Sequence, residues 1–377
     1  MCNRAWMHEN GHGGDVNYGA AIALYDRAIA LGNSAAMCNR GLMYETGQGG
    51  DVNYQEAIAL YEQAIDLGDS GAMFHRALMH HKGQGGDVDY DAAIDLYNRA
   101  IDLGDSGAMY HRALMHHNGQ GGDVDYDEAI ALYNRAIALG HFNAMYNRAL
   151  MHEIGQGGDV DYDTAIELYE QAIALDHSDA MFNRALMHRN GQGGDVDYVA
   201  AIALYNRAIA LGHSYSMCNR ALMHQNGQGG DVDYDTAIEL YEQAIALGNS
   251  DAMFNRALMH QNGQGGDVNY QTAIALYEQA IALGDTDAMI ACASLHDSGL
   301  AGSVNYPRAL ELYKKAKELI NDPEVKDGLE QEINGIQTKI DELPKKHSYN
   351  LRSRSRLFTS DKPENEGPSS KRLRPGG

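Results

Sequence analysis

Aspartates and histidines are the residues of this chain whose types and spacing invite a chemical reading. Asp159, Asp161 and Asp163, followed by Glu170, have the alternating carboxylates of an EF-hand calcium loop. The run Gly-Gln-Gly-Gly-Asp-Val-Asp has the look of a calcium-binding nonapeptide. An EF-hand needs Gly at its sixth position and Glu at its twelfth. Thr164 holds the sixth, and a helix starting near Tyr162 carries Glu170 away from the aspartates. Most other copies of the motif lack that Glu, and no nine-residue recurrence is present. The aspartates are therefore read as turn-forming and helix-starting carboxylates. A calcium-dependent binding protein acting through these Gly-Gly-Asp-Val-Asp-Tyr turns is the alternative function.

Histidine chemistry is the second candidate. His80-His81 and His116-His117 follow Arg76 and Arg112, and four-residue spacing puts Arg76 and His80 on one helix face. No acid completes an HExxH zinc set, no serine sits in GxSxG, and no cysteine has a fixed histidine partner. A catalytic site normally occurs once in a chain, whereas these residues recur. The reading is no enzyme, no metal and no cofactor.

The recurrence itself is regular. Tyr18, Tyr54, Tyr90, Tyr126, Tyr162, Tyr198, Tyr234, Tyr270 and Tyr306 stand 36 residues apart, most of them closing a Gly-Gln-Gly-Gly-Asp-Val-Asp-Tyr unit. Such a period means stacked supersecondary units, each unable to bury its apolar face alone. In each unit a serine or threonine (Ser34, Ser70, Ser106, Ser178, Ser214, Ser250, Thr286) is expected to cap a first helix, Phe142 being the exception. That helix, Ala72–His81 in the third copy, ends at the glycine turn Gly83–Gly86. Its apolar face is read as Met73, Phe74, Ala77 and Leu78. A second helix spans about Tyr90–Leu103, with Ala93, Ile94, Leu96, Tyr97, Ala100 and Ile101 on its apolar side and Asp91, Asp95 and Asp102 opposite. Gly104 and its equivalents close it.

Ala36-Met-Cys-Asn-Arg-Gly-Leu-Met-Tyr44, then Gly47-Gln-Gly49, then Ala57-Ile-Ala-Leu-Tyr61-Glu-Gln-Ala64 and Gly68 resemble a Sel1-like repeat, a branch of the tetratricopeptide superfamily. The resemblance covers about residues 1–320 in nine in-phase copies, the first incomplete. It implies an all-α fold, a right-handed α-solenoid of helix–turn–helix repeats. It also implies a protein–protein interaction scaffold or adaptor that holds proteins or peptides along the concave surface. A Sel1-type hydrolase is the further alternative. Such enzymes rely on paired cysteines in each repeat, and Cys2, Cys38, Cys218 and Cys292 are far apart with no CxxC. Where the family has Leu in the first helix this chain has Arg, and its Tyr is mostly His.

Those departures define the candidate partner-binding residues. By the resemblance, the first-helix face holding Phe74, Leu78 and His81, with Tyr110, Leu114, His117, Tyr146, Phe182 and Phe254 in other copies, lines the groove. Core packing competes with that reading, and variation among Phe, Tyr and Cys in otherwise near-identical copies fits a contact position. Arg76, Arg112, Arg148 and Arg184 form either a structural ladder, each bonded to an aspartate of a neighbouring turn, or a stripe for an acidic or phosphorylated partner.

Charge is divided. The 377 residues carry −23, but the segment from Pro344 carries about +6, so the body before it is strongly acidic. An acidic body argues against nucleic acid as its partner, a small-molecule ligand is disfavoured, and no apolar run suits membrane insertion. The array opens inside a first helix, so its end either pairs with something or continues upstream. Asn321-Asp322-Pro323-Glu324 is a strong helix start, and Val325, Leu329, Ile333, Ile336, Ile340 and Leu343 mark one face of a C-terminal capping helix over 321–343. Residues 344–377 read as a basic disordered tail. Arg352, Arg354, Arg356, Lys371, Arg372 and Arg374 form clusters of the nuclear-import kind. The expected location is cytoplasmic or nuclear or, for a bacterial protein, a host cell reached without a cleaved signal peptide.

Overall fold

The computed structural model describes residues 1–342. Among them are nineteen helices and no strand, arranged as helix pairs with the 36-residue period of an all-α solenoid. The chain divides into two compact units, Met1–Ala252 and Met253 onward. Leu343 and the basic clusters at Arg352, Arg354, Arg356, Lys371, Arg372 and Arg374 lie outside the described residues.

Within the first unit, the third repeat shows why the sequence folds this way. Its first helix runs Ser70–Lys82 and its second Tyr90–Asp102. The cap of the first helix is not the serine but the residue before it. Asp69 is extended (φ −78°) and its carboxylate accepts the Ala72 N–H at 3.0 Å, while Ser70 is already helical. Asn33 and Asp105 do the same in their copies. Phe142 is then no exception, because His141 caps its helix by accepting the Ala144 N–H on Nδ1 at 3.3 Å.

The glycine turn behaves as expected. Gly83 (φ 68°) closes the first helix in the left-handed region that a side chain disfavours. The Asp89 N–H then returns to the His80 carbonyl at 3.0 Å, and the Asp89 carboxylate takes the Ala92 N–H at 3.0 Å. One aspartate thus closes the hairpin and starts the second helix.

The core is made of small residues around one tyrosine. Ala72, Ala77, Met79, Ala93, Tyr97 and Ala100 are fully buried, and the equivalent set recurs through both units. The expected first-helix face needs correction: Met73 and Ala77 are buried with Ala72 and Met79, whereas Phe74 and Leu78 are only half-buried. The helix is covered on more than one side, by its own partner helix and by neighbouring repeats, so a single apolar stripe does not describe it. In the second unit, Asp322 caps the helix Pro323–Glu342, on which Leu329, Ile333 and Ile336 are buried and Val325 is exposed.

Candidate functional site

The half-buried aromatic side chains of the first helices stand at the seams between repeats. Phe74 lies 6.2 Å (ring centroids) from Tyr97 of its own repeat and 5.4 Å from His111 of the next. Tyr110 stacks on His141 at 4.7 Å, Tyr146 on His177 at 4.9 Å, and Phe182 meets His213 at 5.2 Å. In the second unit Phe254 packs on Tyr277. These rings are therefore core and surface at once. Leu78, His81, Leu114 and His117, also half-buried, complete the same face.

The arginines are held differently from the expectation. Arg40 approaches Asp26 at 3.5 Å, Arg76 approaches Glu62 at 3.8 Å and Arg184 approaches Glu170 at 3.4 Å. Each carboxylate comes from the second helix of the preceding repeat, not from the Asp-rich turn. The turn aspartates are already engaged: Asp161 accepts both the backbone N–H and the hydroxyl of Thr164, at 3.0 and 2.7 Å. Asn98 and Asn134 stand where the acids would face Arg112 and Arg148. The Nε atoms of all five arginines are buried without a hydrogen bond, and Arg112 and Arg148, lacking a second-helix acid, feel only Glu128 and the turn carboxylate Asp161. Burial makes the proton on Arg112 easier to lose, partly offset by Glu128. The ladder is thus neutralised in some rungs only. Beside it, Arg76, Met79, His80 and the loop from Gln84 to Asp91 enclose a cavity of about 580 Å³, and a smaller one repeats at Arg112.

One trio of possible metal donors occurs among the described residues. Glu278, Cys292 and His296 place their donor atoms within 4.8 Å of one another. Cys292 occupies the position that is Arg in earlier copies, and Arg308 reaches Glu278 instead, with Nη2 at 2.8 and 2.7 Å from the two carboxylate oxygens. The arrangement preserves the Arg–acid pairing from a different helix, and the guanidinium occupies the carboxylate that a cation would need.

The sequence reading missed the hydroxyl of the core tyrosine. Tyr25, Tyr61 and Tyr169 donate to Glu9, Glu45 and Glu153 at 2.7, 2.8 and 2.7 Å, and Tyr241 donates to Gln225 at 2.9 Å. The acceptor always lies 16 residues before the tyrosine, at the end of the first helix. In the third, fourth and sixth repeats that position is His81, His117 or Arg189, and the hydroxyls of Tyr97, Tyr133 and Tyr205 are buried without an acceptor.

Comparison of the copies shows where they differ. Ala77, Met79 and Tyr97 have nearly the same residue in every repeat. The Phe74 position reads Cys38, Phe74, Tyr110, Tyr146, Phe182, Cys218 and Phe254, and the His81 position reads Glu45, His81, His117, Glu153, Arg189, Gln225 and Gln261. The two lie seven residues apart, on one side of the helix.

A family model described as Sel1 repeat matches nine consecutive segments: 1–33, 34–69, 70–105, 106–141, 143–177, 178–213, 214–249, 250–285 and 286–321. Among solved structures, a Sel1 repeat protein from Oxalobacter formigenes is 24% identical with TM-score 0.60, the match covering 66% of this chain and all of that one. The c5321 protein, a protective antigen of uropathogenic Escherichia coli strains with an SLR fold, is 19% identical with TM-score 0.51, covering 97% of this chain and 88% of its own. Yeast Tom70 is 18% identical with TM-score 0.51, covering 87% and 68% respectively. At such identities the likeness is one of fold. No curated protein matches the sequence.

Proposed function

Because the chain belongs to the Sel1 repeat family, we propose that it is a protein-interaction scaffold holding partner proteins or peptides along the face built by its first helices. One observation carries this reading. Copies that agree almost residue for residue in their cores vary among small, polar and acidic residues at exposed second-helix positions such as Ala59, Asp95, Ala131 and Glu167. On the half-exposed first-helix face, at the positions of Phe74 and His81, they vary instead among large aromatic, Cys, His, Arg and acidic residues. A packing requirement would hold those positions constant, and solvent exposure alone would favour small or charged residues over Phe, Tyr and His. Aromatic side chains on a rigid helix face also suit the anchoring role they play in interfaces. No described helix is long and apolar enough to cross a membrane. In this reading residues 1–320 form the binding array, 321–343 its cap, and the basic tail acts separately.

Leu78→Glu with Leu114→Glu in the full-length protein is expected to abolish capture of partners from the cells that express it. Asp95→Lys with Ala131→Lys, on exposed second-helix positions, should leave capture intact. Capture unchanged in the first variant, at an unchanged melting temperature, would overturn the assignment of the face.

A further inference from the structure

Three hydroxyls on this face lack an acceptor, and the side chains beside them are the reason. Tyr97, Tyr133 and Tyr205 are fully buried, and each is the equivalent of a tyrosine that elsewhere donates to a built-in Glu or Gln. A buried hydroxyl whose proton has no acceptor is costly, and native proteins rarely keep one without a use. The neighbours do not relieve it. Asn147, beside Tyr133, presents amide N–H groups, which donate, and it already donates to the Tyr110 hydroxyl at 3.2 Å. Arg189, in the acceptor position for Tyr205, has no acceptor atom and gives its own N–H to Asn219 at 2.8 Å. His81 stands edge-on to Tyr97 with ring centroids 6.5 Å apart, and neither its buried Nδ1 nor the Tyr97 hydroxyl makes a hydrogen bond.

Residue charge points the same way. Where Glu9, Glu45 and Glu153 supply a negative charge at the end of the first helix, these three repeats have His, His and Arg. The built-in carboxylate is absent; in its place Arg189 is a cation, while His81 and His117, whose basicity burial lowers, offer neutral imidazoles that can donate a hydrogen bond to a carboxylate. Glu45 is half-exposed while bonded to Tyr61, so a carboxylate at this point is open to solvent on its outer side. His81, His117 and Arg189 are likewise half-exposed. The second-helix carboxylates Asp91, Asp95 and Asp102 are exposed, where solvent and salt weaken their field.

From this geometry we propose that the first-helix face over the third, fourth and sixth repeats binds a carboxylate-bearing peptide segment. Its Asp or Glu side chains supply the acceptors that Tyr97, Tyr133 and Tyr205 lack. The inference rests on the scaffold reading and adds the chemistry of the partner. Phe74 touching His111 places the first helices of successive repeats side by side, and packed helices lie about 8–10 Å apart. An extended peptide advances about 3.3 Å per residue, so carboxylates three residues apart address neighbouring repeats.

The test uses the full chain and two fluorescent peptides of Thr and Ser, one with Glu at every third position and one with Gln there. Anisotropy is expected to show the Glu peptide binding at least tenfold more tightly. Replacing all three tyrosines by phenylalanine (Y97F, Y133F, Y205F) keeps the packing, removes the unanswered hydroxyls and should erase that preference without lowering the melting temperature. Tyr61→Phe, whose hydroxyl Glu45 already answers, should leave the preference unchanged. Equal binding of the two peptides, or a triple variant that keeps the preference, overturns the proposal. If the Glu peptide does not bind while natural partners still depend on Leu78 and Leu114, the scaffold reading survives and the acidic partner does not.

Discussion

Acidification from pH 7 to pH 4 is expected to take several kcal/mol of stability from the array, with the loss beginning before its carboxylates titrate. Burial pushes His75, His111, His141 and His177 below the ordinary histidine range. His111 goes furthest, to about 4, because burial is reinforced by the positive charge of its neighbours His81, Lys82 and His141. His141 and His177 also accept a backbone N–H on Nδ1, a bond that protonation of that nitrogen would remove. The sign follows from proton uptake. Above pH 6.5 folded and unfolded chains are both neutral at these rings and stability is complete. Below it the unfolded chain takes protons that the folded chain refuses, and stability falls until the folded-state value is reached. His111 alone then accounts for about 3 kcal/mol at pH 4, from a displacement of about 2.5 pH units at 1.36 kcal/mol each. Melting temperatures should be level from pH 8 to 7 and fall steadily below 6.5. Later copies carry Asn147, Asn183 and Asn219 where His111 stands. His75→Asn with His111→Asn should therefore make the fall shallower, though not abolish it, without harming the fold. A melting temperature constant from pH 7 to 4 would contradict the burial of these rings.

A comparable loss is expected from one methyl group. Gly121→Ala should cost about 3 kcal/mol, combining the left-handed backbone penalty with overpacking. Gly121 has φ +77°, and a Cβ there would lie 2.9 Å from both Tyr90 Cβ and Ile94 Cδ1 of the preceding repeat's second helix. The glycine turn thus joins successive repeats as well as the two helices of one. Its neighbour Gly122 faces open space, so Gly122→Ala should stay within about 0.5 kcal/mol. Denaturant titration of the pair separates the two, and equal effects would show that the turn does not clamp the seam.

How far these features were legible in the sequence depended on whether the cause was local. The turn glycines and the capping Asp89 were readable because φ preference and side-chain capping act within a few residues. The first-helix cap was placed one residue late because Ser70 is itself a good capping type and only the backbone shows that Asp69 is the extended residue. The arginine partners were misassigned because Glu62 and the turn aspartates are both within a repeat of Arg76. Only the fold shows that the turn carboxylates are already engaged. The tyrosine acceptors at Glu45 and Glu153 had a signal, a fixed offset of 16 residues, but it becomes meaningful once both residues are known to meet inside one hairpin. The candidate face was legible in part: Phe74 and His81 were named, but their shared variability against a constant core needed burial to interpret.

The central claim, that partners lie on the first-helix face, is tested most directly by site-specific photo-crosslinking in the cells that express the protein. A photoreactive phenylalanine analogue is placed singly at positions 81 and 117, and for comparison at positions 95 and 131 on the exposed side of the second helices. The account predicts the same crosslinked partner band from positions 81 and 117 and none from 95 or 131. Crosslinks confined to positions 95 and 131 would put the partner on the acidic outer surface and contradict it.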